Sequence, residues 1–187
     1  MIFNSIVIFY MVTYFSFSFC ESFPQVLSLE DINVRLRHIA SNTYLNVVKN
    51  SEGTYLLSTK SKASLVDPDV DFSLYFFTSA EAGETKLGLI KHQETGMYIG
   101  MAPNNEIQLS FGSFEEPLEL NVADNRFFNI HKIDQFFAFS FLSGIDVRHN
   151  YYLAVDEDNT PFFKKVPRLS NNYPADIFFT IEVMEEN

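Results

Sequence analysis

Residues 149–159, HNYYLAVDEDN, place two tyrosines and an apolar run directly before three consecutive acids. Two readings compete. Asp156, Glu157 and Asp158 form a metal or proton-transfer site, or the stretch is a strand that ends in a solvated turn. The rest of the chain decides between them. The core of the stretch, Tyr152-Leu153-x-Val155, has a counterpart fifty-four residues earlier in Tyr98-Ile99-x-Met101. Another fifty-four residues earlier stands Tyr44-Leu45-x-Val47. A second series runs through Phe76-Phe77, Phe127-Phe128 and Phe178-Phe179 at intervals of fifty-one. Two series with nearly one period mark an internal repeat, in which each unit must cover the apolar face of its neighbours.

Between these anchors the pattern is short alternating apolar runs, such as Phe72-Ser73-Leu74-Tyr75-Phe76 and Phe179-Thr180-Ile181-Glu182-Val183. They are broken by turn clusters such as NSEG, APNN, DEDN and SNNYP. Alternation of period two bounded by Gly, Asn, Asp and Pro is the signature of strands and hairpins. The expectation is an all-β domain of about twelve strands near 33–38, 43–48, 54–59, 71–78, 85–92, 97–101, 106–111, 126–133, 136–142, 151–155, 161–165 and 176–183. Three units of four strands resemble the β-trefoil, a six-stranded barrel with three capping hairpins. Closing the sheet in this way removes exposed strand edges.

The 187 residues suit one domain with a removable end. Residues 1–20 carry no charged side chain and are rich in Ile, Val, Phe, Tyr and Met. The short apolar core, with Ser18 and Cys20 as small residues before a cut, reads as a secretory signal over residues 1–22, although no Lys or Arg precedes it. A retained membrane anchor is the other reading of the same run. The domain then spans residues 23–187. Cys20 is the single cysteine, so residues 23–187 have no disulfide framework, thiolate metal site or cysteine nucleophile. Such a domain depends on its apolar core, and sixteen of the 21 phenylalanines lie from Phe23 onward. The net charge of -11 argues against nucleic-acid or heparin-like partners, which require a basic stripe.

Catalytic, metal and cofactor signals are weak. The acids at 156–158 lack the glycine and the distant bidentate glutamate of a calcium loop. Asp67, Asp69 and Asp71 alternate, but Pro68 and Phe72 spoil a calcium-loop reading and favour a turn. His38, His92, His131 and His149 are scattered without ligand spacing, and no Gly-x-Ser-x-Gly elbow occurs. The expectation is therefore no enzyme, no metal and no cofactor. Lys164, Lys165 and Arg168 form a small basic island in an acidic chain. With Tyr173 they make one candidate contact surface, because Arg and Tyr are favoured at interface hot spots. The stretch SAEAGE (79–84), with Glu81 and Glu84, is a second candidate.

Several stretches resemble the interleukin-1 family. TKLGLIKHQETGMYIGM (85–101) is similar to its central strands. RFFNIHKIDQFFAFSFLSGIDVRHNYYLAV (126–155) resembles its signature region, with Phe141, Ser143, Tyr152 and Leu153 at the matching positions. The family's proline after Phe-x-Ser is absent, and the spacing to the aromatic strand is one residue longer. ADIFFTIEVMEEN (175–187) resembles the closing strand, and with FFKKV (162–166) it leans toward interleukin-18-like members. The likeness covers about residues 30–187. It implies a secreted, monomeric cytokine with a trefoil fold. Such a ligand binds an immunoglobulin-type ectodomain of the interleukin-1-receptor family and modulates inflammatory and immune signalling. It also implies that the loop at 79–84 is a site where activity varies. An agonist and a receptor antagonist or decoy both fit. A carbohydrate-binding trefoil is a further alternative, but the chain contains no Trp and hence no Gln-x-Trp repeat.

Overall fold

The computed structural model describes residues 26–64, 67–79, 87–112, 125–141, 148–168 and 172–184. The proposed signal segment 1–22 lies outside the described residues. Twelve strands follow the expected order: β1 (Val26–His38), β2 (Thr43–Lys49), β3 (Tyr55–Lys60), β4 (Phe72–Ser79), β5 (Leu87–His92), β6 (Tyr98–Met101), β7 (Ile107–Ser110), β8 (Phe128–Ile133), β9 (Phe136–Phe141), β10 (His149–Val155), β11 (Pro161–Pro167) and β12 (Phe179–Val183). The sequence places β12 from residue 176. The structure instead puts a 3-10 turn at Ala175–Ile177, and a matching turn at Pro68–Val70 leads into β4.

Six strands close an antiparallel ring, each hydrogen-bonded to the next in the order β1, β4, β5, β8, β9, β12 and back to β1. The pairs β2–β3, β6–β7 and β10–β11 form three hairpins that cap one end. This closed barrel with three hairpin caps is a β-trefoil.

The pairing registers align the three units residue by residue. Arg37 faces Tyr44, Lys91 faces Tyr98 and Ser140 faces Tyr152 across the first barrel strand of each unit. The tyrosine series is therefore a true structural repeat. Side chains alternate across a strand, so each tyrosine points away from the core while Leu45, Ile99 and Leu153 point into it, all fully buried. The phenylalanine series needs one correction. Val34 pairs with Phe72, Gly88 with Phe128, and Phe137 with Phe179. The counterpart of Phe128 and Phe179 is therefore Phe72, not Phe77. The first unit carries Asp71-Phe72 where the others carry Phe-Phe.

These three phenylalanines, all fully buried, stack on the end of the first barrel strand of the following unit. Phe72 meets His92 with ring centroids 5.3 Å apart, Phe128 meets Phe141 at 4.3 Å, and Phe179 meets His38 at 5.3 Å. His38, His92 and Phe141 occupy one position of the repeat. Each buried aromatic contributes about 1.5–3 kcal/mol of transfer free energy, which explains how a chain without disulfides beyond Cys20 holds together. Val34, Leu36, Leu74, Ile90 and Phe139 complete the barrel core.

Candidate functional site

The residues that suggested chemistry resolve first into architecture. At the end of β10, the Asp156 carboxylate accepts hydrogen bonds from the backbone N–H groups of Asp158 (2.9 Å) and Thr160 (2.8 Å). Asn159 adopts a positive φ of 62°. The first hairpin does the same with another residue: Asn50 Oδ1 accepts from Glu52 (3.0 Å) and Thr54 (2.9 Å), and Gly53 has φ 85°. An Asx side chain that caps a tight turn is a local backbone device. The described residues contain no group of three or more His, Cys, Asp or Glu side chains placed to hold a metal.

The histidines are equally structural. His38 Nδ1 lies 2.7 Å from Ser41 Oγ, and His38 Nε2 donates to the Asp176 carbonyl at 3.1 Å. Taken alone, a Ser–His pair beside a groove suggests a nucleophile. His92 repeats it with Thr95 Oγ1 at 3.0 Å, and Ser41 and Thr95 also donate their backbone N–H groups to the rings. The pair is a turn-closing motif used twice. Burial lowers the pKa of both rings, more than the nearby Asp176, Asp69 and Glu94 raise it. Each ring is thereby kept neutral and able to accept at Nδ1.

DPDVD (67–71) is tied down as well. Asp67 and Asp69 hold the Lys60 ammonium at 2.7 and 3.3 Å. The Lys60 bond, and after it one from Asp69, lowers the Asp67 pKa to about 2. Asp71 holds Arg35 at 2.7 Å with both side chains largely buried.

The basic island splits in two. Lys164 and Lys165 are neighbours on β11 and so face opposite sides. Lys164 pairs with Asp176, whereas the Lys165 ammonium sits 5.8 Å from the Tyr151 ring centroid. Register makes Lys164 the counterpart of Lys60, since Lys60 faces Tyr44 and Lys164 faces Tyr152. Asp176 corresponds likewise to Asp69. The Lys164–Asp176 pair is thus a repeated architectural contact.

Arg168 and Tyr173 do come together, through two residues that sequence reasoning did not assign to a site. The exposed Arg168 donates from Nε to Asn150 Oδ1 at 3.1 Å, and Asn150 in turn lies beside the Tyr152 hydroxyl at 3.5 Å. Tyr152 packs edge-on against Tyr173, with centroids 6.0 Å apart, and at a tilt against His131 at 5.6 Å. His131 Nε2 is 2.7 Å from Ser140 Oγ. Burial lowers the His131 pKa and raises that of Tyr152. Beneath them lies a second small core of Ala138, Ala154, Val166 and Ile177. The tyrosine repeat is the available signal, because Tyr152 is the member of the series with no cation above it among the described residues. Arg37 and Lys91 cover Tyr44 and Tyr98 at 5.8 and 5.7 Å. Glu81 and Glu84, the other candidate contacts, lie outside the described residues, as does Ser143 of the signature region.

Comparison with solved structures agrees with this architecture. A BEL beta-trefoil in an apo crystal form superposes over 87% of this chain and 99% of that one, with a TM-score of 0.52 and 15% sequence identity. At that identity the likeness is one of fold. No protein-family model matches the sequence, and no curated protein matches it.

Proposed function

We propose that this β-trefoil is a secreted, non-enzymatic protein ligand of the interleukin-1 type. It binds an immunoglobulin-type receptor ectodomain and modulates immune signalling as a monomer. The observation that carries the reading is the Arg168–Asn150–Tyr152–Tyr173 cluster. It sets an exposed guanidinium and a half-buried phenol on a small apolar core, in the third unit, where the family resemblance is strongest. Arg and Tyr on a preordered support are the residue types that dominate interface energies. The internal pairing of His38, His92, Lys60 and Lys164 favours recognition by surface over chemistry in a pocket. Secretion rests on the apolar segment 1–22.

The test is to add the protein from Ser22 onward to cells that each express one defined pair of interleukin-1-family receptors. Signalling identifies an agonist, and binding with blocked signalling identifies an antagonist or decoy. Absence of binding to every receptor removes the assignment.

A further inference from the structure

A groove of about 600 Å³ lies where the last hairpin turn of the third unit meets the β1–β2 turn of the first. That volume is in the range of small-molecule sites. Its polar lining comprises Ser41 from the first unit and Asp156, Glu157, Asn159, Lys164 and Asp176 from the third, with the buried His38 behind Ser41. The apolar members, Ala40, Val155, Pro174 and Ala175, are small and carry no aromatic ring. The groove therefore offers hydrogen bonds, not a place for an apolar tail.

The repeat shows how the third unit differs from the first at this point. Lys60 is held by two carboxylates, Asp67 and Asp69. Its counterpart Lys164 is held by Asp176, and Pro174 stands in place of Asp67. An ammonium has three donors, so Lys164 can also give a hydrogen bond to an oxygen that enters beside Pro174. The Asn159 amide is a second donor, on a turn that Thr59 Oγ1 fixes by donating to the Asn159 carbonyl at 2.6 Å. Acceptors lie on the same turn. Asp156 spends Oδ1 on the N–H groups of Asp158 and Thr160, and its Oδ2 has no hydrogen-bond partner among the described residues. Glu157 beside it is exposed.

Charge and hydrogen-bond capacity together decide the class of ligand. The lining sets three carboxylates, Asp156, Glu157 and Asp176, against one ammonium, Lys164. An anion is opposed by that balance. A cation suits the carboxylates but cannot accept from Lys164 or Asn159. A hydroxyl donates and accepts, so a neutral ligand with several hydroxyls serves both sets.

We infer that this groove binds a neutral saccharide unit, whose hydroxyls donate to Asp156 Oδ2 and Glu157 and accept from Lys164 and Asn159. The inference does not rest on receptor binding through Arg168 and Tyr173.

NMR titration of the backbone amides tests it, with glucose, galactose, mannose, N-acetylglucosamine and their methyl glycosides. Methyl glucuronide and spermidine serve as charged comparisons. At least one neutral sugar should give saturable shifts at Ala40, Ser41, Glu157 and Asn159. Both charged probes should bind about tenfold more weakly or worse, the glucuronide because it brings a like charge to Asp156 and Glu157. Asp156→Asn keeps the turn, as Asn50 does in the first hairpin, but exchanges an acceptor for a donor. It should weaken binding about tenfold while the denaturation midpoint stays put. Ala40→Trp, at an exposed lining position, should block every sugar. Binding retained by the methyl glycoside identifies the end of a glycan chain as the source, and binding confined to the reducing sugar identifies a free sugar. No saturable shift at these amides with any neutral sugar, tighter binding of spermidine than of every sugar, or undiminished affinity in either variant would each overturn the inference.

Discussion

The first and third units share one backbone plan and one outer Lys–Asp contact, Lys60–Asp69 and Lys164–Asp176, yet the rest of their outer layers differ. Around the corner that leads into the last barrel strand, the first unit sets Arg35, Asp71, Lys60, Asp67 and Asp69 in a network of ion pairs. Ala138 and Phe178 stand in place of Arg35 and Asp71 in the third unit, Pro174 stands in place of Asp67, and an aromatic cluster covers the corner. The second unit, with Leu89 and Phe127, sides with the third. Inward-facing positions such as Leu45, Ile99 and Leu153, or Phe72, Phe128 and Phe179, meet around a shared axis and keep a similar size and polarity. Val34, Gly88 and Phe137, by contrast, differ in size. Outward-facing positions meet only their own unit and are free to diverge, which is where recognition can be built.

Interchangeability of the units is testable at the point of greatest difference. Asp71→Ala removes the carboxylate that neutralises buried Arg35, whose Nη1 still donates to the Ser64 carbonyl. It should cost about 3–5 kcal/mol, read as a fall in the denaturant midpoint. The double change Arg35→Leu with Asp71→Phe installs the residues of the second unit and should restore or exceed the original stability, by up to about 1–4 kcal/mol. A double variant as unstable as Asp71→Ala would show that the outer layers are not interchangeable.

The histidine position offers a pH test of the same idea. His38, His92 and His131 are all held below their ordinary value of 6.5 by burial. The unfolded chain therefore takes up protons first as pH falls. Stability is fully present above about 6.5 and is lost as pH drops through the folded-state values. Replacing His38 and His92 by Phe, the residue that the third unit uses at Phe141, should flatten the decline in melting temperature between neutral and mildly acidic pH. An unchanged slope would place the acid sensitivity elsewhere.

Smaller effects follow at the hairpin turns and the ion pairs. Asp156→Ala should cost about 1 kcal/mol through loss of the two backbone hydrogen bonds, and Asn50→Ala about as much. Added calcium should not shift the midpoint of the unaltered chain, since Asp156 is engaged by its own turn. Lys164→Met should cost about 1 kcal/mol or less, as expected for a partly exposed pair.

Much of this architecture is legible in the sequence because strand alternation is local and the tyrosine series repeats at a constant interval of fifty-four residues. All twelve strands are present in the expected order, although β1 begins at Val26, seven residues before the expected 33. The β12 start was misplaced because the apolar Ile177 belongs to a 3-10 turn whose buried side chain imitates a strand residue. The phenylalanine register slipped in the first unit because Asp71 replaces an aromatic, and the nearest Phe-Phe pair lay further along β4. The candidate site was only half legible. The sequence groups Lys164 with Arg168 and Tyr173, because its partner Asp176 is twelve residues away. Asn150, Tyr152 and His131 join the cluster only through strand pairing between β8, β9 and β10, a contact that local pattern does not carry.

The most direct test of the account is binding to an immobilised panel of interleukin-1-receptor-family ectodomains, with the unaltered chain compared with two variants. The account predicts saturable binding to at least one ectodomain. Arg168→Ala with Tyr173→Ala should weaken it by about tenfold or more, as expected for hot-spot residues. Lys60→Met, in the corresponding outer layer of the first unit, should leave it unchanged. Equal losses in both variants, or no binding to any ectodomain, would contradict it.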